Sequence, residues 1–192
     1  MPPANYILLA LSSVFCALYL WGSFRHFRRI ERVRTGLAAL SVISVIAFAA
    51  HLAGLWPSRR LWAYAWAAAP VYAAALGLWA WTVAATRDAQ LTLAFSRDLP
   101  NALVDRGPYR YVRHPFYTAY TLYWVAGCLA TLPWWVAAPS AMAIGLYVLA
   151  AQSEERKFAA SRLADAYAAY QARTGMFFPL LRRPAEWRDL RP

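Results

Sequence analysis

Residues 116–152 read FYTAYTLYWVAGCLATLPWWVAAPSAMAIGLYVLAAQ, and none of them is Asp, Glu, Lys or Arg. Pro133 divides this stretch into two apolar runs, at about 116–132 and 134–152. A run of roughly 17–25 apolar residues is long enough to cross the hydrocarbon core of a bilayer as a helix. Since only a turn separates the two runs, they predict a tight antiparallel hairpin of membrane-spanning helices.

Three further apolar runs precede this hairpin, at about 5–23, 37–56 and 62–85. The chain has 192 residues, and 61% of them are hydrophobic, which is typical of a membrane protein and not of a soluble domain. The sequence therefore predicts an all-α integral membrane protein with about five transmembrane helices. The first run follows no basic segment and no cleavage-site pattern, so we expect a retained span and not a signal peptide.

The distribution of Lys and Arg predicts the orientation of the spans. Segments 24–36 and 86–115 hold five each and the chain after residue 152 holds eight, whereas 57–61 holds two and 131–133 none. Because cytoplasmic segments are enriched in positive charge, the N-terminus is expected outside and the C-terminus in the cytoplasm. The Ala- and Arg-rich composition favours a bacterial inner membrane.

The net charge of +11 has a membrane interpretation. Its arginines lie between the spans and do not form one continuous face, which disfavours a nucleic-acid partner. Basic loops at the cytoplasmic surface instead contact anionic membrane lipids. The composition gives no indication of the oligomeric state.

The basic aromatic segment RGPYRYVRHPFY, residues 106–117, directly precedes the hairpin. Pro115 fits the first position of the fourth helix, which places Arg113 and His114 beside that helix N-terminus. A guanidinium and the unpaired N–H groups of a helix start suit an anion such as a carboxylate or a phosphate. Tyr117 lies one turn later and is expected to face the same pocket. The alternative interpretation is a charged anchor at the membrane surface.

A second candidate group follows the hairpin, at SEER. Glu154 and Glu155 are suited to receive an ammonium group or a ribose diol, or to hold Arg113 in place. Alternatively they form the acidic first turn of a helix whose N-cap is Ser153. The pattern of residues 153–172 predicts that this helix is amphipathic and cytoplasmic and that it ends before Gly175. Its large apolar side chains share one face: Phe158, Leu163, Tyr167 and Tyr170.

Two more ionisable side chains are candidates. Arg173 is expected to reach lipid headgroups or to point into a site between the C-terminal segment and the hairpin. His51 lies inside the second span, where ionisable side chains are uncommon and often functional, although a neutral, hydrogen-bonded histidine also explains its presence there.

The two cysteines, Cys16 and Cys128, lie inside apolar runs. Their positions predict buried thiols, not metal ligands or a disulfide. No glycine-rich nucleotide-binding motif is present.

Taken in order, GPYRYVRHPFY, an apolar hairpin, EER, and a Y-x-x-Y pair followed by FFP resemble the isoprenylcysteine carboxyl methyltransferase family and the related phospholipid methyltransferases. RHPFY at 113–117 carries the strongest similarity, and the resemblance covers about residues 86–180. It implies an integral membrane enzyme that uses S-adenosylmethionine to methylate a lipophilic acceptor from the membrane. It also implies two regions: residues 1–85 with three spans, and residues 86–192 as the catalytic, cofactor-binding region.

The resemblance also implies roles for individual residues. Arg113, Glu155 and Arg173 are the candidate catalytic residues. Arg113 and His114 suit the cofactor's carboxylate, and either Glu154 or Glu155 suits its ammonium or ribose. Aromatic walls for its adenine and sulfonium are expected from three tyrosines: Tyr109, Tyr117 and Tyr170.

The sequence is compatible with several alternatives. The spacing from Glu154 to Tyr167 is one residue longer than is usual in the family, which leaves open which glutamate fills the main acidic position. A carboxylate acceptor needs no general base, whereas an amine or a thiol requires a glutamate or His114 to take a proton. A phospholipid amine N-methyltransferase is the nearest alternative. A non-catalytic membrane scaffold or carrier is the alternative from another class.

Overall fold

The computed structural model describes residues 3–26, 35–55, 61–87, 99–100 and 102–180. Within these ranges the chain forms six α-helices and one short 3-10 helix, and its only β pairing is a single bridge. The α-helices are α1 (Pro3–His26), α2 (Thr35–Leu55), α3 (Leu61–Ala85), α4 (Pro115–Thr131), α5 (Trp134–Ala159) and α6 (Ala164–Arg173). The 3-10 helix covers Gly107–Arg110. The prediction of an all-α membrane protein is confirmed.

The five predicted apolar helices correspond to α1–α5. Among the described residues, three helical stretches are long and apolar enough to cross a membrane: Ala38–Leu55, Trp66–Ala85 and Trp134–Ala159. α1 contains a shorter apolar segment, and α4 has 17 residues. A helix of that length rises about 25 Å, at the lower end of the spanning range. Three of the five predicted spans therefore meet the length and hydropathy requirements within the described residues, whereas the apolar part of α1 and the whole of α4 are shorter.

The link between α4 and α5 is as short as the sequence predicted. Leu132 adopts a left-handed conformation with φ 66°, which is uncommon for a residue with a side chain. Its N–H donates to the carbonyl of Cys128 at 2.8 Å and so closes the last turn of α4. Pro133 follows with φ −64° and precedes the first residue of α5. Because two residues reverse the chain, the start of α4 and the end of α5 lie at the same end of the hairpin.

The prediction of one amphipathic helix over residues 153–172, capped by Ser153, is wrong. α5 continues without interruption through Ala159, so SEER lies in its last turns. No Gly or Pro stands between Gly145 and Ala159 to end the helix earlier. The break comes at Ser161, whose hydroxyl donates to the carbonyl of Phe158 and accepts the N–H of Leu163. α6 then starts at Ala164 and packs back against α5.

α4 is the central helix of the bundle and packs against α3, α5 and α2. Small buried residues on α4, including Ala119, Ala126 and Ala130, allow neighbouring helices to approach closely. Close approach matters inside a bilayer, because helices associate there through packing and hydrogen bonds and gain little from the hydrophobic effect. α1 packs against α3 and α2, and α2 packs against α5.

A buried hydrogen-bonded cluster joins three of these helices. Nε2 of His51 on α2 lies 2.9 Å from the hydroxyl of Ser12 on α1 and 2.6 Å from that of Tyr72 on α3. All three side chains are buried. The other side of the His51 ring faces Gly127 on α4, where an added Cβ would lie 2.6 Å from Nδ1. Through these contacts, His51 links α2 to α1, α3 and α4.

Replacing Gly127 by Ala is expected to destabilise the protein, since its methyl group would overlap an imidazole ring that hydrogen bonds hold in place. Overpacking of this kind costs roughly 1–3 kcal/mol. In a chain of this size each kcal/mol lowers the melting temperature by about 2–4 °C. The measurement is thermal unfolding in detergent. The matched control is Gly145→Ala on α5, where an added Cβ has no atom within 4 Å, and its melting temperature should not fall.

Candidate active site

The segment before α4 and the segment after α6 lie side by side. Val112 and Gly175 form a parallel bridge. The N–H of Arg113 donates to the carbonyl of Gly175 at 2.8 Å, and the N–H of His114 donates to that of Met176 at 3.1 Å. The N–H of Gly175 donates back to the carbonyl of Tyr111 at 3.2 Å. These backbone bonds bring the RHP segment against the chain that follows α6.

Two glycines permit this arrangement. At Gly175 an added Cβ would lie 1.6 Å from the carbonyl oxygen of Phe178, so the turn after α6 has no room for a side chain. Gly107 has φ +60° and packs against the end of α3, where an added Cβ would lie 2.7 Å from that of Ala85. Arg106 strengthens this second contact, because its Nε donates to the carbonyl of Ala85 at 2.8 Å. The loop is therefore fixed to α3 on one side and to α6 on the other.

Arg113 is the connecting side chain of the site. Its Nε donates to Oε1 of Glu155 at 2.8 Å, so the guanidinium is paired with the last turns of α5. Its Nη1 donates to the carbonyl of Thr174, just past the end of α6. A cation at that position also suits the negative end of the α6 dipole. Of the two glutamates, Glu155 is the one that contacts Arg113, while the roles of both residues stay predictions.

His114 lies between the two glutamates. Its Nδ1 is 3.5 Å from Oε2 of Glu154, and its Nε2 is 3.3 Å from Oε1 of Glu155. The side chain is only 6% exposed. Burial by itself lowers the pKa of His114, but hydrogen bonds and electrostatic attraction from both carboxylates outweigh burial, and the net pKa is raised above its ordinary value. The protonated form of the His114 ring is therefore stabilised relative to that of a free histidine.

The two glutamates have different partners. Glu155 accepts from Arg113 and His114 through Oε1, while its Oε2 accepts from Nε2 of Gln171 on α6 at 3.0 Å. Glu154 accepts from the Tyr117 hydroxyl at 2.6 Å and contacts the other ring nitrogen of His114. Glu155 is thus committed to holding three elements together, whereas Glu154 is linked mainly to the start of α4.

Aromatic rings surround this charged group. The His114 ring stacks near that of Tyr117, with centroids 5.7 Å apart, and Tyr117 in turn stacks on Tyr147 at 5.5 Å. Tyr109 and Tyr170 lie deeper: the Tyr170 hydroxyl donates to the carbonyl of Tyr109 at 2.7 Å, and both rings are buried. Burial raises the pKa of both phenols, so both stay neutral. The structure therefore places Tyr117 beside the charges and leaves ligand contact by Tyr109 and Tyr170 as a prediction.

Arg173 lies at the edge of the site, apart from the glutamates. Its Nη2 is 3.1 Å from Oδ2 of Asp105, and the guanidinium lies over the Tyr170 ring at 5.8 Å. The side chain is 37% exposed. A catalytic role for Arg173 stays a prediction.

Sequence reasoning missed two side chains that shape the site. Gln171 anchors Glu155, and the Thr118 hydroxyl donates to the carbonyl of His114 or of Phe177. Neither carries a recognisable motif, because each acts through a contact between distant segments. No group of three His, Cys, Asp or Glu side chains suited to a metal ion occurs among the described residues.

Comparison with known protein families gives a match. A family model described as phospholipid methyltransferase matches residues 63–166, which is more than half of the chain. The matched region runs from α3 through the loop, α4 and α5 into α6. No curated protein matches the chain.

Replacing His114 by Gln is expected to remove a pH-dependent part of the protein's stability. Because its pKa is raised by folding, the protonated ring stabilises the native state fully below its ordinary pKa of about 6.5. This stabilisation is lost as the pH rises through the raised value. The melting-temperature difference between wild type and His114→Gln should therefore be larger at acidic than at alkaline pH. A difference that stays constant with pH would contradict a charged His114.

Proposed function

The chain belongs to the phospholipid methyltransferase family, which makes it a membrane methyltransferase, and from this premise we propose that it transfers a methyl group from S-adenosylmethionine to a lipophilic acceptor. One observation carries the proposal. Arg113, His114, Glu154 and Glu155 form a compact, largely buried group in which charges of both signs lie within hydrogen-bonding distance or close to it. The group lies where the charged loop meets the ends of two apolar helices.

The donor set fits the amino-acid part of S-adenosylmethionine. That part is a zwitterion with one carboxylate and one ammonium group. Arg113 and His114 offer positive charge to the carboxylate, and the two glutamates beside them offer negative charge to the ammonium. A purely anionic ligand would instead face two carboxylates in the same place. Removing several charged groups from water costs free energy unless each charge is paired with an opposite charge of the protein or of a ligand.

We propose different roles for the two glutamates, because their contacts differ. We assign Glu155 to positioning, since Arg113, His114 and Gln171 already occupy both of its oxygens. We assign Glu154 to the side of the methyl acceptor, together with Tyr117. Tyr109 and Tyr170 would support this corner from behind, and Arg173 would close its outer edge through the ring of Tyr170.

Methyl transfer requires little acid–base catalysis from the protein. When bound, the cofactor supplies a sulfonium-activated methyl group for in-line displacement, and positioning the two reactants provides much of the acceleration. Residues such as Tyr117 and His114 would orient the reactants and exclude water. With an amine acceptor, Glu154 is placed to take the proton, with His114 beside it. With a carboxylate acceptor no base is needed.

We further propose that this site faces the cytoplasm, where the cofactor is available, with the N-terminus outside in a bacterial inner membrane. The positive charge of the loop and of the C-terminal segment supports this orientation. Residues 86–192 would then be the catalytic region and residues 1–85 its membrane support. The family match favours a phospholipid amine as the second candidate acceptor.

Calorimetry on the purified protein in detergent tests the cofactor. The wild type should bind S-adenosylmethionine, and Arg113→Ala should weaken binding about 10- to 100-fold, because a hydrogen bond to a charged group contributes roughly 1.5–3 kcal/mol. The control is Arg110→Ala, an exposed arginine of the same loop, which should bind like wild type. A wild type without detectable binding would leave the non-catalytic scaffold as the better interpretation.

Incubation with labelled S-adenosylmethionine and a membrane lipid extract identifies the acceptor, because the labelled product carries the transferred methyl group.

The two glutamates are tested by substitution. Glu155→Gln should weaken cofactor binding, since it releases Arg113. Glu154→Gln should leave more of the binding intact and, with an amine product, reduce turnover by about 10²-fold or more. Equal effects of the two substitutions on binding and turnover would contradict the proposed division.

A further inference from the structure

Two hydrogen-bonded pairs of side chains link α4 to α5. Near the charged end of the hairpin, Tyr117 on α4 donates its hydroxyl to Oε1 of Glu154 on α5 at 2.6 Å. Deeper in the hairpin, Nε1 of Trp124 on α4 donates to the hydroxyl of Tyr147 on α5 at 3.1 Å. The first pair belongs to the candidate active site, and the second pair lies beneath it.

Helical register aligns the second pair with the first. Trp124 follows Tyr117 by seven residues, and Glu154 follows Tyr147 by the same interval. Seven residues make nearly two turns of a helix and return to within about 20° of the same direction. Because α4 and α5 form an antiparallel hairpin, this equal spacing places both pairs in one line along the contact between the helices.

Tyr117 and Tyr147 also contact each other directly. Their rings are nearly parallel, with centroids 5.5 Å apart and an interplanar angle of 14°. On α5 the buried residues between Tyr147 and Glu154 are Ala150 and Ala151. These small side chains leave space in which the Tyr117 ring can pack on Tyr147 while its hydroxyl reaches Glu154.

Tyr147 is itself held in place by α4. The residue is 1% exposed. Trp124 fixes its hydroxyl, and the ring of Tyr120 lies beside its ring at a centroid distance of 5.7 Å. Since a buried phenol hydroxyl requires a hydrogen-bond partner, the N–H of Trp124 allows a tyrosine at this depth. The Tyr147 ring therefore gives Tyr117 a fixed surface to pack against.

We propose that Tyr147 is a positioning residue of the active site: its ring keeps the Tyr117 hydroxyl on Glu154, and Trp124 keeps that ring in place. The inference rests on the proposed function, in which Tyr117 and Glu154 serve the methyl acceptor. Arg113 pairs with Glu155 through separate contacts. Loss of the Tyr147 ring is therefore expected to reduce methyl transfer and to leave the affinity for the cofactor unchanged.

Substitution of Tyr147 tests this role. With saturating labelled S-adenosylmethionine and a membrane lipid extract, Tyr147→Leu should lower turnover by about tenfold or more, because a misplacement of about 1 Å in an active site can cost about 10²-fold. Its affinity for S-adenosylmethionine, measured by calorimetry, should stay within about twofold of wild type. Tyr147→Phe keeps the ring, and its turnover should stay within about threefold of wild type, the effect of an average interhelical hydrogen bond in a bilayer.

The matched control is Tyr72→Leu on α3. Tyr72 is also buried, and its hydroxyl also lies within hydrogen-bonding distance of a neighbouring helix, at Nε2 of His51. The turnover of each folded Tyr72→Leu molecule should equal that of wild type, even where the melting temperature falls. An equal loss of turnover in the two leucine variants would be a general effect of a loosened bundle and would overturn the positioning role.

A double substitution separates positioning from packing. Tyr117→Phe removes the hydroxyl that Tyr147 is proposed to position. Adding Tyr147→Leu to Tyr117→Phe should therefore lower turnover no further than Tyr117→Phe alone, whereas residues that act independently show losses that multiply. Multiplied losses in the double variant would contradict the proposal.

The two proposals fail in different ways. A wild type that binds no S-adenosylmethionine overturns the proposed function and, with it, the positioning role. Normal cofactor binding with undiminished turnover in Tyr147→Leu overturns the positioning role alone. Where Tyr147→Leu melts below the assay temperature, Tyr147→Met takes its place in each comparison, because a flexible methionine fills the space without a flat ring.

Discussion

The ion pair between Arg113 and Glu155 is the interaction on which the site depends. It joins the loop before α4 to the last turns of α5, and Arg113 also reaches the chain after α6. A largely buried pair of this kind is weak as a source of stability, but removing one partner leaves an uncompensated charge, which costs up to about 3–5 kcal/mol where burial is complete. The pair therefore acts as a constraint: Arg113 and Glu155 neutralise each other only when the loop meets the end of α5, and the carbonyl of Thr174 and the amide of Gln171 hold them there.

The apolar part of the molecule makes that meeting possible. The two-residue link at Leu132–Pro133 brings the start of α4 and the end of α5 to one end of the hairpin, and α3 supports the loop from the other side. Deeper in the bundle, His51 joins α2 to α1 and α3 through hydrogen bonds, and Gly127 lets α4 approach the ring. Polar contacts of this kind are useful in a bilayer, where apolar contact alone does not distinguish a neighbouring helix from lipid.

Charged and uncharged side chains lie in separate parts of the hairpin, an arrangement that suits a membrane methyltransferase. The charged group is confined to one end, where both the loop and α6 contribute. The remainder of α4 and α5 up to Gln152 is uncharged. A water-soluble cofactor and a lipid acceptor can therefore approach the same few side chains from different sides.

The sequence by itself determined the helical membrane class, the tight hairpin and the candidate side chains of the RHP and EE motifs, because these follow from local apolar length, a turn proline and residue chemistry. It did not determine that α5 continues through SEER, since the helix break depends on weak signals around Ser161. Only the tertiary structure separated the partners of Glu154 from those of Glu155 and showed that Gln171 anchors the latter. Those assignments depend on the direction in which each side chain leaves its helix once three distant segments are packed, and adjacent residues in a sequence do not contain that information.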